Sequence, residues 1–593
     1  MTPEYPLADL MEVLDDPQSS GFNQTEFFHT PEREPWTRIS VGGHFEIFPV
    51  KSTEFRRLLE SRIRASMGRM PTDALVKQTL KEIEAASLFD GKQHPIFFRT
   101  ARHGAAIYID LGTDDWSAVK ITGDGWSVVA IPPVYFRRGV TARPLPIPAT
   151  GGNASELFDV INVPERQHQI LVLAWLVAAL RPSGPYPLLA MSGRQGSAKT
   201  TTQGFLRRLV DPSSTPLLST PRDERDLVIA AKHSHVLGFD NLSRLSNGLS
   251  DALCRLSTGS GFATRQLYTD DKQMTFNGQR PVMFNGIDQI ADRSDLLDRM
   301  IVLTLPKVTT RKTDTSLRAK FDQIAGTLFG ALLDAVSCAL KNYDSISLPS
   351  LPRMAEFAQW SVAAGPALGF TQDEFIEAYD ANRQELSLVA IENSPIDAIV
   401  TWFRARFHYG NLQWSGTHGD LLKDLKFSLT YLPAGFPKTA RALSAELARI
   451  EPNLVEVGLQ VNHLKREPGT GRRLIQIEAT PETATKWTRE REESQAVAEK
   501  MKEAASAAVR AARQEKIAAR QSAVDEWLKA YLADGEPKKR KEVYSASQTA
   551  NEGGPFSREM LKQALKNIGG EESLNENGGN LWKPKPLTGA ASA

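Results

Sequence analysis

Residues Leu188 to Thr202 read LLAMSGRQGSAKTTT: an apolar run, a loop with two glycines, then a lysine followed by threonines. An apolar run of this length suits a buried strand, and the eight residues from Gly193 to Thr200 fit the pattern G-x-x-x-x-G-K-[ST] everywhere except at Ala198. A loop of small side chains lets successive backbone N–H groups close around phosphate oxygens at the N-terminus of the helix that follows. The stretch therefore reads as a phosphate-binding loop made of Gly193, Gln195, Gly196, Ser197, Ala198, Lys199, Thr200 and Thr201. Lys199 would reach the β and γ phosphates and the Thr200 hydroxyl would ligate Mg²⁺. The methyl group of Ala198 fits this loop if its φ is negative.

Outward from the loop, Ser234 to Asn241 (SHVLGFDN) is a second apolar strand ending in an acid. Asp240 is placed to sit beside Thr200 on the metal of a bound nucleotide. Gly261 to Phe276 holds two alternating pieces joined at Asp270 and Asp271, as in a hairpin, and Arg280 to Gly286 is a third buried strand ending on Asn285. Upstream, the apolar helix Gln167 to Leu180 follows a Pro-rich linker, Arg143 to Gly152.

The chain has 593 residues, enough for three or more domains, and 71 basic against 70 acidic residues exclude a uniformly basic coat. Nucleic-acid contact would have to come from local patches. Two cysteines, Cys254 and Cys338, exclude a disulfide framework or a Cys-rich zinc site and suit a reducing cytoplasm, bacterial or phage-infected. The longest apolar run, Ile170 to Leu180, is too short to cross a bilayer, so no membrane partner is expected.

Residues 1–40 carry Phe27, Phe28 and Trp36 without periodicity and read as a disordered or docking arm. Helical spacing in Thr53 to Met67 and Asp73 to Ala86, then alternation in Ala106 to Leu111, Ala118 to Thr122 and Trp126 to Ile131, suggests two helices and an antiparallel meander. The arginines from Arg56 to Arg69 read as a solvated face, with phosphate contact as the alternative. After helical segments to about Tyr379, Asp397 to Ile477 offers helix, short polar piece, two helices and two strands, like a winged helix. Its candidate recognition helix carries Lys438, Arg441 and Arg449, and its wing carries Lys465, Arg466, Arg472 and Arg473, candidates for duplex phosphates, with packing between proteins as the alternative.

The expected fold is multidomain α/β. An α+β N-terminal domain (41–142) precedes a P-loop ATPase core with a parallel sheet (153–390) and a winged-helix-like domain (391–480). A charged helical spacer (481–522) then leads to a small helical or winged-helix-like domain (523–593).

The pieces from about 165 to 310 resemble the superfamily 3 helicase branch of the AAA+ ATPases, found in phage, plasmid and viral replication proteins and primase-helicases. The resemblance implies a homo-oligomeric ring, a hexamer, that binds ATP and Mg²⁺ and hydrolyses ATP between subunits through Lys199, Thr200 and Asp240. It implies that Asn285 is a polar sensor and that Arg299, or else Arg293, is an arginine finger. It also implies a hairpin with Arg265, Tyr268 and Lys272 on single-stranded DNA in the ring channel. The pattern departs from relatives at Asn241, where a second carboxylate usually stands; an amide positions water but takes no proton, leaving Glu224 or Asp223 as alternative bases. No priming centre is evident, so a separate primase or polymerase is expected. The leading expectation is a DNA helicase, translocase or replication initiator of a mobile element; the alternative is an ATP-switched DNA-binding regulator, assembly or defence protein that does not unwind.

Overall fold

The computed structural model describes Leu14 and residues 25–242, 245–259, 261–265, 273–276, 278–286, 294–309, 312–392, 394–408, 413–429, 432, 435–466, 472–549 and 554–584. It is a mixed α/β protein with several sheets, among them a four-stranded parallel one, and divides into units 1–480 and 481–593.

The first unit opens with a four-stranded sheet in the order His44–Pro49, Pro35–Val41, Glu26–His29, Lys92–Gln93. The loose arm expected over 1–40 is thus, from Glu26 onward, sheet: Phe28 and Trp36 are buried. These strands are too short for their alternation to stand out in sequence, and the residues that bury them include distant ones such as Phe55, Ile83, Ile96 and Tyr135. Helices Thr53–Met67 and Asp73–Ala85, capped by Ser52 and Thr72, pack Phe55, Leu59, Ile63, Val76 and Ile83 against that sheet.

The antiparallel meander Thr100–His103, Ala106–Asp110, Ala118–Thr122, Gly125–Val129 follows. Ile107, Ile109, Val119 and Ile121 belong to the same hydrophobic core as the buried helix Arg166–Ala179 and the long helix Asp314–Asn342. The meander is therefore continuous with the central core, and 142 is no boundary in packing. The linker beyond it is strapped onto the long helix, where a Cβ on Gly330 would stand 1.9 Å from the Ala149 carbonyl and one on Gly326 2.8 Å from that of Ile147. Only glycine lets backbone approach that closely. By length and composition this helix, extended to Asp314–Ser345, would pass as a membrane span, but 61% of its apolar window is buried inside the protein.

The parallel sheet runs Leu237–Phe239, Val282–Asn285, Leu188–Ser192, Met300–Thr304. Its strands are apolar except at their ends, Ser192, Asn285 and Thr304, and at Gly238, because both faces are covered. Leu189, Met191, Met283, Ile301 and Leu303 enter one core, and Leu188, Ala190, Val282, Phe284, Met300 and Val302 enter the other. The second core is closed by helices Glu224–Ala231 and Asn247–Thr258.

The last part of this unit is a module of helix Ala398–His408, strand Gln413–Gly416, helices His418–Ser428 and Ala440–Glu456, and strands Leu459–His463 and Ile475–Ala479. The three strands form an antiparallel sheet in the order first, third, second. A capping box between Thr417 and Asp420 starts its second helix.

The second unit begins with the helix Pro481–Tyr531, in which residues 492–520 are all exposed. Its end packs Val524 and Leu528 with Leu532, Val543, Phe556, Leu561, Leu565 and Trp582. Strand Lys538–Lys539, helices Arg540–Ser547 and Arg558–Asn567, and strands Glu571–Leu574 and Asn580–Lys583 complete it, again with an antiparallel sheet in the order first, third, second.

Candidate nucleotide site and basic surfaces

The strand Leu188–Ser192 ends at the edge of the parallel sheet and turns into the helix Lys199–Val210 through the glycine loop. Gly193 has φ 136° and lies so close to its surroundings that a Cβ would stand 2.5 Å from the Leu305 carbonyl oxygen. Gly196 has φ 84°, and its carbonyl accepts the Val308 N–H at 3.2 Å. Ala198, expected at negative φ, instead takes φ 64° and ψ 28°, the left-handed region, as N-cap of the helix. The loop must reverse direction at that point to start the helix, and the motif's usual glycine does so without a Cβ penalty.

The Lys199 ammonium donates to the Gly193 carbonyl at 2.5 Å and the Arg194 carbonyl at 3.3 Å, folded over the loop it closes. The Thr200 hydroxyl donates to an Asp240 carboxylate oxygen at 3.3 Å. The structure thus sets a hydroxyl and a carboxylate, forty residues apart in sequence, side by side at the helix N-terminus. Among the described residues no cluster of three or more His, Cys, Asp or Glu side chains could hold a metal ion by itself. The Thr200–Asp240 pair supplies the hard oxygen donors that Mg²⁺ takes from a protein when phosphate oxygens and water complete its shell. The hydroxyls of Ser197, in the loop, and Thr202, in the helix, are buried without a hydrogen-bond partner among the described residues. Gln195 is exposed at its tip, and Thr201 faces an adjoining cleft.

That cleft, about 350 Å³, is lined by Val160, Ile161, Asn162, Gly196, Thr201 and Leu317 among others. Asn162 fixes its wall, its amide donating to the Ser197 carbonyl at 3.1 Å and the Pro306 carbonyl at 2.7 Å. Sequence reasoning did not single out Asn162; its only signal was a polar residue in the segment before the buried helix. Gln203 was missed too. One turn beyond Thr200, its amide nitrogen donates to the Phe239 and Met283 carbonyls, 3.1 Å each, and its oxygen accepts from the Asn285 amide at 2.9 Å.

Asn285 is buried at the end of the strand lying between the loop strand and the Asp240 strand. Its carboxamide oxygen accepts the Asn241 backbone N–H at 2.8 Å. Asn241 has φ 55°, a conformation that asparagine tolerates better than most side chains, and its own side chain is exposed. The alternative bases have other partners: Glu224 pairs with Arg255 at 2.8 Å, and Asp223 caps the helix Glu224–Ala231. Arg299 precedes the strand Met300–Thr304, at the end of the sheet opposite the loop. Its guanidinium is held by the Asp295 carboxylate at 2.5 Å, and Arg353 joins the same carboxylate at 2.7 Å. Burial raises the cost of the Asp295 charge, yet Arg299 and Arg353 overcome it and lower that carboxyl's pKa.

Phe262–Arg265 and Gln273–Phe276 pair as an antiparallel two-stranded ribbon. Arg265 lies on its first strand, while Tyr268, Lys272 and Arg293 lie outside the described residues. In the module ending at Ala479, Lys438 and Arg441 are exposed at the start of the third helix. Lys465, Arg466, Arg472 and Arg473 are exposed on the connection between its last two strands. The structure brings these last four basic residues to one hairpin, whose strands meet again where the Leu464 N–H donates to the Leu474 carbonyl.

Behind the site lies a buried charge network. Arg99 donates to the Asp211 carboxylate at 3.0 Å, and the second Asp211 oxygen accepts the N–H groups of His235 and Val236. It ties the meander to the sheet.

Two family models match the chain. Residues 154–387 match the replication protein RepA of actinomycete integrative conjugative elements. Residues 396–505 match the RepA C-terminal domain of the same elements. The chain is thus similar, over the parallel-sheet core and the module that follows it, to the replication protein of a mobile element; 1–153 and 506–593 lie outside both matches. No curated protein matches the chain. Solved structures similar to it include apo forms of the NrS-1 C-terminal region, one 10% identical with TM-score 0.36 and another 11% identical with TM-score 0.35. Each covers 79% of this chain and 98% of that one, and TM-scores this low do not measure a shared fold.

Proposed function

We propose that the chain is an ATP-hydrolysing replication protein of a mobile element that moves or opens DNA as a ring-forming helicase, translocase or initiator of the superfamily 3 type. The observation that carries this reading is the Thr200–Asp240 pair beside a lysine-closed glycine loop, at the edge of a parallel sheet, in a chain whose core matches a replication protein.

In this reading ATP lies with its phosphates in the loop and its base in the cleft walled by Val160, Ile161 and Leu317. Thr200 and Asp240 would hold Mg²⁺, which would supply neutralisation of the charge developing in phosphoryl transfer. Lys199 leaves the Gly193 carbonyl to meet the β and γ phosphates. Gln203 and Asn285 position Asn241 through its backbone N–H, so that its amide can orient water. Arg299 of a neighbouring subunit would have to exchange Asp295 for phosphate to act as a finger. DNA is the polymeric partner, taken as a single strand by the ribbon at Arg265 and as duplex by the basic hairpin; priming falls to a separate protein, and the site of action is the cytoplasm.

A second reading rests on the same site. With Asn241 where a base is expected, and with Glu224 and Asp223 engaged elsewhere, ATP binding could switch assembly on DNA without turnover. Strand-displacement and ATPase assays on wild type and Lys199→Ala separate the two. We expect ATP-dependent unwinding in wild type and a loss of at least about a hundredfold in hydrolysis in the variant, as for loss of a principal phosphate contact. ATP-dependent assembly without unwinding or hydrolysis in wild type would favour the switch.

A further inference from the structure

We propose that the C-terminal module, residues 523–583, is a second duplex-DNA-binding module, which grips phosphates with the exposed face of its third helix, Arg558–Asn567. This rests on the reading of the chain as a DNA-handling protein, and it concerns residues outside both family matches.

The first support is topological. The module repeats, element for element, the order of the module at 398–479: helix, strand, helix, helix, strand, strand, with an antiparallel sheet in which the third strand lies between the other two. In each, the third helix buries one apolar face: Leu443, Leu447 and Ile450 in the first, Leu561, Ala564 and Leu565 in the second. The two copies differ in what the opposite face is free to do.

In the first copy, the C-terminal half of that helix is committed to the protein. Asn453 is buried against Ser387, Glu456 pairs with Arg383 at 2.9 Å, and, near mid-helix, Glu446 accepts the Ser394 hydroxyl at 2.7 Å. In the second copy, Arg558, Lys562 and Lys566 recur every fourth residue and are exposed. At 100° per residue they cover about 80° of the helix surface, each roughly 6 Å along the axis from the next. Among the described residues no carboxylate pairs with Lys562 or Lys566, and Arg558 lies 5.5 Å over the Tyr544 ring. Lys539 and Lys541 add exposed positive charge at the start of the preceding helix.

The acids of the module are fewer on the helix than the cations: Glu559 stands beside Arg558 in its first turn and Glu542 on the preceding helix, while Glu571 and Glu572 lie on the hairpin, where Glu572 is held by Arg540 at 3.2 Å. The charge asymmetry is the reverse of the first copy, whose hairpin is basic. A regular polyanion approached by the helix, with the acidic hairpin turned aside, is what such a face complements, and a duplex backbone is that polyanion. A sequence-reading role is not required, because the three cations suffice for phosphate positioning.

The test uses the full chain and the variant Arg558→Gln/Lys562→Gln/Lys566→Gln, with fluorescence anisotropy on a short duplex of arbitrary sequence across a range of salt, without nucleotide. We expect the variant to bind at least about tenfold more weakly at low salt, and the slope of log affinity against log salt to fall by about 2 to 3, at roughly 0.9 per phosphate contact. Its ATPase activity without DNA should equal wild type, and its thermal unfolding should overlay wild type, which excludes loss of fold as the cause. Should the variant misfold, removing the one carboxylate of that helix by Glu559→Gln is the second arm: tighter duplex binding supports the assignment and unchanged binding overturns it. Unchanged affinity and slope in a folded triple variant would overturn it too and leave the face to a protein partner. Lys199→Ala serves as the separating control: an unaltered ATPase there sinks the nucleotide reading without touching this one, because duplex binding is measured in the absence of ATP.

Discussion

Ala198 is the residue at which the loop departs from its own pattern. A left-handed alanine costs roughly 1 kcal/mol relative to glycine, partly offset by the greater freedom glycine has in the unfolded chain. Ala198→Gly should therefore raise the unfolding free energy by about 0.5 kcal/mol, measured by chemical denaturation, with nucleotide affinity retained. A drop in stability would show that the methyl packs to advantage there. That Ala198 starts the helix could be read from the motif; the sign of its φ could not. That sign follows from closure of the loop onto Leu305 and Val308, which are more than a hundred residues away. Asn285 teaches the same distinction. Its place at the end of a buried strand was readable, whereas its bonds to Gln203 and to the Asn241 N–H depend on three segments meeting.

Between elements, the consequential contact is the network joining the meander to the sheet. His235 is fully buried, its ring nitrogen 2.7 Å from the Ala179 carbonyl. Burial pushes its pKa down from 6.5 to about 4, with the Asp211 charge opposing and Arg280 and Arg99 reinforcing the drop. The folded value lies below the unfolded one, so this group's contribution is complete above pH 6.5 and is lost as pH falls from there toward about 4. The difference corresponds to something on the order of 3 kcal/mol. His235→Gln keeps a donor for Ala179 and removes the titration. Stability curves of wild type and variant should converge across that window, with wild type losing more; parallel curves from neutral pH to pH 4 would contradict the assignment. Asp211, lowered by Arg99, His235 and Arg207 despite the opposing effect of burial, adds a further loss at still lower pH in both proteins.

At the scale of the molecule, the long helix Pro481–Tyr531 sets the behaviour. Residues 492–519 are exposed throughout, and a helical stretch that buries nothing is held chiefly by its own hydrogen bonds until Arg520 donates to the Pro555 carbonyl at 3.3 Å. Limited trypsin digestion should cut first at Lys500, Lys502, Arg510, Arg513 or Lys516, releasing a C-terminal fragment that still melts cooperatively around Leu528, Leu561 and Trp582. First cuts inside residues 523–583, or a fragment without a melting transition, would show that the second unit has no core of its own.

Much that is local was readable from the sequence: the glycine loop between strand and helix, the apolar strands, several helices and the charged helix. Each depends on residues within a few turns of one another, where periodicity and side-chain chemistry act directly. Only the tertiary structure decided the rest. It paired Thr200 with Asp240, drew Asn162 and Gln203 into the site, fused the meander to the central core and repeated one module topology at 398–479 and 523–583. Those outcomes depend on which distant surfaces bury one another, a property of the summed packing of the chain that no single stretch carries.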